Sequence, residues 1–491
     1  MRFEDLPLGK RPEGRWSLAA DWIVVDTEQG RRLVQNGEVV IEKDRVIHAG
    51  PRFEGEVQAR FDLGPVLIAP GFVDLDALSD LDTTLLAHDN WPSEKKGRVW
   101  PQSYVDRGPY EMYSPEELAL QKRFSFGQLL LNGITSAAPI ASLFYREWGE
   151  TVEEFTAAAQ AAEELGLRVW LGPAYRSGGM VVDEAGKLGA VFDEERGIRG
   201  LHAAIAFANK LFKGGLVSPL LAPDRVETCT KALLLETMAA AEALDCPVRL
   251  HMAQGQMELQ TVKALHGMSA PQWLAELGCL SPRLMAPHFT VADARDLELY
   301  AESGVHVIHC PLVAARHGGA LNSFAKLREA GVNIAMGTDT APPDMVLNMA
   351  VAVMTCRMVE GAMPSITSGQ VFDAATLGGA KALGREDIGV LRAGAKADIT
   401  IFDMNDRHMA PRIDPIQTLV LGATGRVTRA TIVDGRISMR DGEVAGIDMA
   451  ATREQVQRQF DGLVARYPER TLGHPPVQEI FPPTFPLMNG E

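Results

Sequence analysis

A (β/α)8 barrel carrying a small β-sandwich built from both chain ends is the fold this sequence predicts, on three observations. Eight short apolar runs between residues 66 and 339 alternate with helical patterns, which is the signature of right-handed βαβ units and a parallel sheet. Further short β-like runs, separated by turn residues, precede and follow this alternating part. With 491 residues, 46% of them hydrophobic, the chain can fill both a barrel and an attachment.

The leading strands are Asp21–Thr27 and Glu38–Glu42, with turns expected at Asn36-Gly37 and Lys43-Asp44-Arg45. The barrel runs follow as Val66–Asp76, Gly133–Ile140, Leu167–Tyr175, Leu216–Asp224, Cys246–Ala253, Arg283–Phe289, Gly304–Pro311 and Gly331–Asp339. Thr151–Leu165 and Ala292–Glu302 are examples of the helices between them. No GxGxxG follows any run, which leaves an open dinucleotide-binding sheet without support. Asp398–Asp403, Thr418–Leu421 and Arg429–Val433 read as closing strands, punctuated by Asp434-Gly435 and Asp441-Gly442. Neither terminal β piece can bury an apolar face alone, so the two are expected to pair. The expected division is 1–66 with 390–447 as the composite β-sandwich, 67–389 as the barrel, and 448–491 as a C-terminal helix and Pro-rich arm. Tyr467–Glu491 shows no helical or strand period and is expected to lie extended on a surface. Such an arm gains stability by docking, which points to a homodimer.

The balance of 48 basic to 64 acidic residues, a net charge of −16, argues against nucleic acid or an anionic membrane as partner and leaves a small molecule. The chain opens without an apolar leader, and no uncharged apolar run reaches about 18 residues, so a soluble cytoplasmic protein is expected. Five scattered cysteines without a CxxC pair fit a reducing compartment and argue against both a disulfide framework and a Cys-rich zinc site.

Chemistry in such a barrel sits at the C-terminal ends of its strands. Those ends carry Asp74, Asp76, Arg176, Asp224, His251, His288, His309 and Asp339. Three of the eleven histidines on successive strands, with an aspartate on the eighth, point at one cavity of proton-moving or metal-binding groups. Asp74 and Asp76 share a strand face by two-residue alternation; a strand-end turn is the other reading. The segment 88–117 carries Trp91, Trp100, Tyr104, Tyr110 and Tyr113, either a stacking lid for a ring-containing ligand or packing for the loop itself. Arg176 presents a planar fork suited to a substrate carboxylate, or to one of the chain's own acids.

These residues resemble the amidohydrolase superfamily, on the branch of the adenosine-derivative deaminases and s-triazine chlorohydrolases. Pro70-Gly71-Phe72-Val73-Asp74 resembles its first-strand entry, His251-Met252-Ala253-Gln254 its fifth-strand HxxE, His288 its sixth-strand histidine, His309-Cys310-Pro311 its HNP and Gly337-Thr338-Asp339 its GTD. Gly389–Asp403 resembles the element that re-enters the sandwich. The resemblance implies a homodimeric hydrolase of non-peptide C–N bonds in a small, cyclic nitrogenous compound, working by water activation. Departures are equally specific. The family's first-strand HxH is replaced by Asp76-Ala77-Leu78, or in a shifted register by Leu78 and Asp80, and the HxxE acid by Gln254, an amide that cannot act as a general acid. The remaining ligand candidates are His251, Asp339 and Asp76 (or Asp80), a harder set than a His-rich one, suited to one Zn, Mn or Fe ion. Asp339 and His288 are the expected catalytic pair, with Gln254, His309, Arg176, Trp91 and Asp224 on the substrate. Two alternatives remain: a metal-free lyase or isomerase using the same acid–base pair, and a binding protein that has lost its metal site.

Overall fold

The structure, a computed structural model, describes residues 2–81, 97, 99–140, 142–211 and 215–488. Eight parallel strands form the barrel: Phe72–Leu78, Ile134–Ile140, Arg168–Leu171, Val217–Pro219, Val248–Arg249, Leu284–Pro287, His306–His309 and Ile334–Met336. In space they run 4-3-2-1-8-7-6-5, and the bridge from Leu221 to Val248 joins the fourth strand to the fifth and closes the ring. Side chains alternate along each strand. Trp170, Leu220, Met285, Ile308 and Ala335 belong to an inner cluster. Val169, Leu171, Leu284, Ala286, Val307 and Met336 belong to the larger cluster shared with the surrounding helices.

A second, nine-stranded sheet joins the two chain ends. Its seam is Val66–Pro70, antiparallel to Ile399–Asp403 and parallel to Arg15–Thr27. The run Val66–Asp76, expected as one barrel strand, therefore breaks at Gly71. Residues before it serve the terminal sheet and residues after it the barrel, with Gly71 N donating to Asp398 O. A Cβ on Gly71 would lie 2.1 Å from Thr135, so only glycine lets the chain change sheets here.

Other expectations are corrected locally. Asn36-Gly37 makes no turn: it lies inside the strand Gly30–Glu42, with Asn36 at φ +50°, and the hairpin turns at Glu28-Gln29. Thr418–Leu421 is helical, part of Pro415–Gly422, because the Asp414 carboxylate caps Ile416 N and Gln417 N and Pro415 fits the first turn. The Pro-rich end is not simply extended: Val477–Ile480 forms a helical turn, and Ile480 is buried beside Tyr467, Leu463 and Tyr145. The Asp434-Gly435 and Asp441-Gly442 hairpins form with positive φ at both residues of each turn. No helix among the described residues is long and apolar enough to cross a membrane.

One ion pair ties the base of the barrel to the terminal sheet. Arg168, first residue of the third strand, donates from Nε and Nη2 to both oxygens of Asp398, at 2.7 and 3.1 Å, with both side chains buried. Asp398→Ala would leave this guanidinium with only the Asp434 contact at 3.2 Å. A loss of roughly 3 kcal/mol or more is expected, read as a lowered urea midpoint.

Candidate active site

The centre is built from the ends of strands one, five, six and eight. Asp76 leaves the first strand fully buried, and its main chain is clamped from two sides. Its N–H donates to Asp74 Oδ1 at 3.2 Å, and its carbonyl accepts from Asp339 N at 2.7 Å. Asp74 is itself held by Thr338, which donates from N and Oγ1 at 3.0 and 2.6 Å; burial pushes the Asp74 carboxyl up to about 7. Asp74 thus fastens strand one to strand eight, and Asp76 turns its buried carboxylate to His251, which lines the cavity. Gly337 makes this approach possible, since a Cβ there would sit 2.5 Å from Asp76 Cβ and 3.0 Å from Cys310 Sγ.

The Asp76 carboxylate meets three groups. His251 Nε2 lies 3.3 Å from Oδ1, Arg249 Nε lies 3.6 Å from the same oxygen, and the Cys310 thiol donates to Oδ2 at 3.6 Å. Burial pushes this carboxyl up, but His251, Arg249 and His288 outweigh it and hold it below the usual range. His251 Nδ1 is 2.9 Å from the Asp224 carbonyl oxygen, which can only accept, so Nδ1 carries the proton. In the neutral ring, Nε2 then turns a lone pair towards a carboxylate oxygen, and Asp76 Oδ1 has no hydrogen-bond partner among the described residues. Two electron-rich atoms face each other. A proton or a metal cation between them resolves the conflict.

His288 Nε2 is also buried without a hydrogen-bond partner among the described residues, 3.8 Å from Asp339 Oδ2. Burial and the neighbouring His251 push its ring well below the ordinary histidine range. Burial, with Asp76 nearby, pushes the Asp339 carboxyl well up. Ligand atoms of Asp76, His251 and His288 lie within 4.8 Å of one another, as do those of His288, Cys310 and Asp339. Orphaned lone pairs on His288 and Asp76 and the fixed tautomer of His251 fit a divalent ion. Four residues here hold left-handed backbone without being glycine: Ala253 (φ +54°), His288 (+92°), Phe289 (+74°) and Asp339 (+45°). Such strain persists only where surrounding structure enforces it.

The cavity above this centre is lined by Arg176, Asp224, Gln254, His251, His288 and Asp339, among others. Arg176 is buried between Trp100 and Trp148, its guanidinium carbon 4.7 and 5.3 Å from the two ring centroids. Nε and Nη2 have no hydrogen-bond partner among the described residues, and burial pushes the group down to about 10. Gln254 Oε1 is likewise buried and unpartnered among them.

The sequence profile of the amidohydrolase family matches residues 77–438. The chain belongs to the amidohydrolase family. Among its relatives, the 5-methylthioadenosine/S-adenosylhomocysteine deaminase of Halobacterium salinarum is 30% identical over 439 residues, covering 88% of this chain and 95% of that protein. The 5'-deoxyadenosine deaminase of Methanosarcina mazei is 26% identical over 440 residues, covering 88% and 95%. Solved structures share the fold. A zinc-bound adenosine deaminase from Xanthomonas campestris superposes with a TM-score of 0.76 at 19% identity, covering 92% of this chain and 99% of that one. A mutant atrazine chlorohydrolase from Arthrobacter aurescens, complexed with zinc and atraton, gives 0.75 at 17% identity, covering 91% and 100%.

In this amidohydrolase the first-strand aspartate that reaches His251 is Asp76, not Asp80. Asp80 instead accepts from Ser142 N and, at 3.2 Å, from Tyr145 OH. His309, expected on the substrate, does not line the cavity. It alternates with Ile308 and Cys310, which face inward, so its ring turns to the helices, with Nε2 3.8 Å from Cys356 Sγ. Trp91 lies outside the described residues. Of the other lid aromatics only Trp100 lines the cavity. Tyr104 packs on Trp100, Tyr113 on Tyr145, and Tyr110 donates to Glu469 at 2.6 Å. Sequence reasoning missed Arg249, Cys310, Trp148 and Glu227. Strand alternation carries a signal for the first two, because Val248 and Leu250 face outward and leave Arg249 inside.

The close contact at Gly337 is directly testable. Gly337→Ala is expected to lower stability by about 1–3 kcal/mol and to displace Asp76, read by thermal unfolding together with the zinc affinity of the folded variant.

Proposed function

We propose that this cleft hydrolyses the exocyclic carbon–nitrogen bond of a nitrogenous ring, with a purine nucleoside as substrate class. The observation that carries the reading is the convergence of Asp76, His251, His288 and Asp339 on one centre, three of them lining the cavity, with Asp76 Oδ1 and His288 Nε2 lacking hydrogen-bond partners among the described residues. The names of the related deaminases supply the substrate class. A water oxygen bonds to the ring carbon, the bond from that carbon to the amino nitrogen breaks, and ammonia leaves.

Asp76, His251 and His288 would hold one divalent ion beside Asp339, and that ion, when bound, supplies Lewis acidity and lowers the pKa of water. Two carboxylates beside two imidazoles admit zinc, manganese or iron. Asp339 in its ionised form takes the proton of the attacking water and returns it to the leaving nitrogen, the task for which Gln254 lacks a proton. Gln254 instead offers Oε1 to a substrate N–H and its amide hydrogens to a ring nitrogen. His288, expected beside Asp339 as acid–base partner, is better placed here as a ligand. Asp224 carries its weight through its carbonyl, which sets the His251 tautomer. Arg176, with Nε and Nη2 lacking hydrogen-bond partners among the described residues, would receive a carboxylate on those nucleoside derivatives that carry one. The five free cysteines, all buried, fit a reducing cytoplasm.

Asp339→Asn should lower kcat by ~10²–10⁴-fold at unchanged fold, measured as ammonia release from adenosine derivatives. Arg176→Met should raise KM for acidic substrates at least about tenfold while leaving kcat nearly unchanged, as loss of uniform binding does. Equal activity of either variant with the parent would remove that residue from the reading. A homodimer remains part of the proposal: Phe485, Leu487 and Met488 stand exposed on the C-terminal arm. Light scattering at micromolar concentration should return twice the chain mass of 53.3 kDa.

A further inference from the structure

The interior of the barrel holds a positive charge next to the centre. Arg249 sits one alternation before His251 on the fifth strand and is buried. Its Nη1 donates to the carbonyls of Ala138 and Pro139, both at 2.8 Å, which fixes the guanidinium across the barrel against the second strand. Its Nε has no hydrogen-bond partner among the described residues and lies 3.6 Å from Asp76 Oδ1. That oxygen is also the one 3.3 Å from His251 Nε2. Arg249 and any ion held by His251 therefore address a single carboxylate oxygen.

We propose that Arg249 is a resident counter-cation of the centre: it shares Asp76 with a bound divalent ion, so the ion is held weakly and exchangeably, and it keeps Asp76 compensated when no ion is present. The inference rests on the reading of Asp76, His251 and His288 as ion-holding residues. Guanidinium and ion repel across a short distance in a water-poor interior, where screening is weak. The arginine cannot withdraw, because its two carbonyl bonds pin it and strand alternation points it inward. Nor can it lose its proton to relieve the repulsion, as a lysine at such a place does. In the ion-free chain the same charge offsets a carboxylate that would otherwise be sealed from water without compensation. Arg249 is a positioning residue, acting on the centre through Asp76.

The test uses the full chain and zinc alone. Chelator-stripped protein is titrated with Zn²⁺ against a competing indicator, for the parent, Arg249→Met and Arg249→Lys, and each is melted with and without zinc. Arg249→Met keeps bulk and removes charge, so it should bind zinc at least about tenfold tighter. Its ion-free form should melt lower than the parent, with zinc restoring more of the melting temperature than it adds to the parent. Arg249→Lys replaces the fixed charge with one that can be shed, so its zinc affinity should fall between those of the parent and Arg249→Met and rise with pH. The parent itself should lose its zinc on dialysis against a mild chelator, a result that needs no variant to fold. Retention of one ion per parent chain through that dialysis, or zinc affinity in Arg249→Met no higher than the parent's, overturns the counter-cation role. Binding by neither protein overturns the ion-holding reading together with it.

Discussion

The centre of this protein is organised by one buried carboxylate. Asp76 is fully sealed from water, yet its surroundings hold it in the charged form. An ionised carboxylate taken from water without compensation would be prohibitive, and everything near it can be understood as compensation. Arg249 supplies fixed charge from below, and His251 supplies a nitrogen whose state depends on what lies between the two. Cys310 gives a weak donor. The clamp of Thr338 on Asp74 keeps the main chain of strand one against strand eight, so the carboxylate cannot swing out to solvent. The glycine at 337 follows from the same demand, since any side chain there would occupy the space of Asp76.

Much of this was legible in the sequence, and the limits are physical. Strand–helix alternation and the Asp-Gly hairpins give barrel and terminal sheet because both depend on local periodicity and turn chemistry. The change of sheet at Gly71 was hidden, because apolar residues on its two sides look alike whichever sheet they enter. Thr418–Leu421 was misread for a related reason: four apolar residues fit a strand or a helix, and the decision lay upstream in the Asp414-Pro415 cap. At the site, reading the residue type at each strand end picked out Asp76, His251, His288 and Asp339, which the structure brings close together, the last three on the cavity wall. It overshot at His309, because it asked which residues end a strand and not which face they occupy. Parity along Val307–Cys310 would have exchanged His309 for Cys310.

Arg176 and Arg249 show two uses of the same side chain. Both are buried, and each has at least one nitrogen without a hydrogen-bond partner among the described residues. Arg249 is satisfied in charge by Asp76 and in part by two carbonyls, so its remaining demand is met inside the protein. Arg176 has aromatic faces on two sides and an open cavity in front. Stacking on Trp100 and Trp148 stabilises the cation without using its N–H groups. The fork is thereby held ready for an acceptor that arrives with the ligand, and its cost while empty is contained by the two rings.

Gln254 is the remaining departure, and its neighbours explain how it is tolerated. Its main-chain N–H donates to Glu258 Oε2 at 2.6 Å, and burial, with Glu227 adding to it, pushes that carboxyl up to about 8. Glu227 is itself paired through Oε1 with Arg225 Nε at 2.9 Å and lines the cavity. A carboxylate at position 254 would add negative charge beside Glu227, whose guanidinium partner is already taken, and beside Glu258, which burial already pushes towards its neutral form. An amide keeps the hydrogen-bonding reach of glutamate there and removes the repulsion. The loss of an acid from the fifth strand and the accumulation of acids beside it are thus one adjustment, and it leaves Asp339 as the carboxyl nearest His288 for moving a proton.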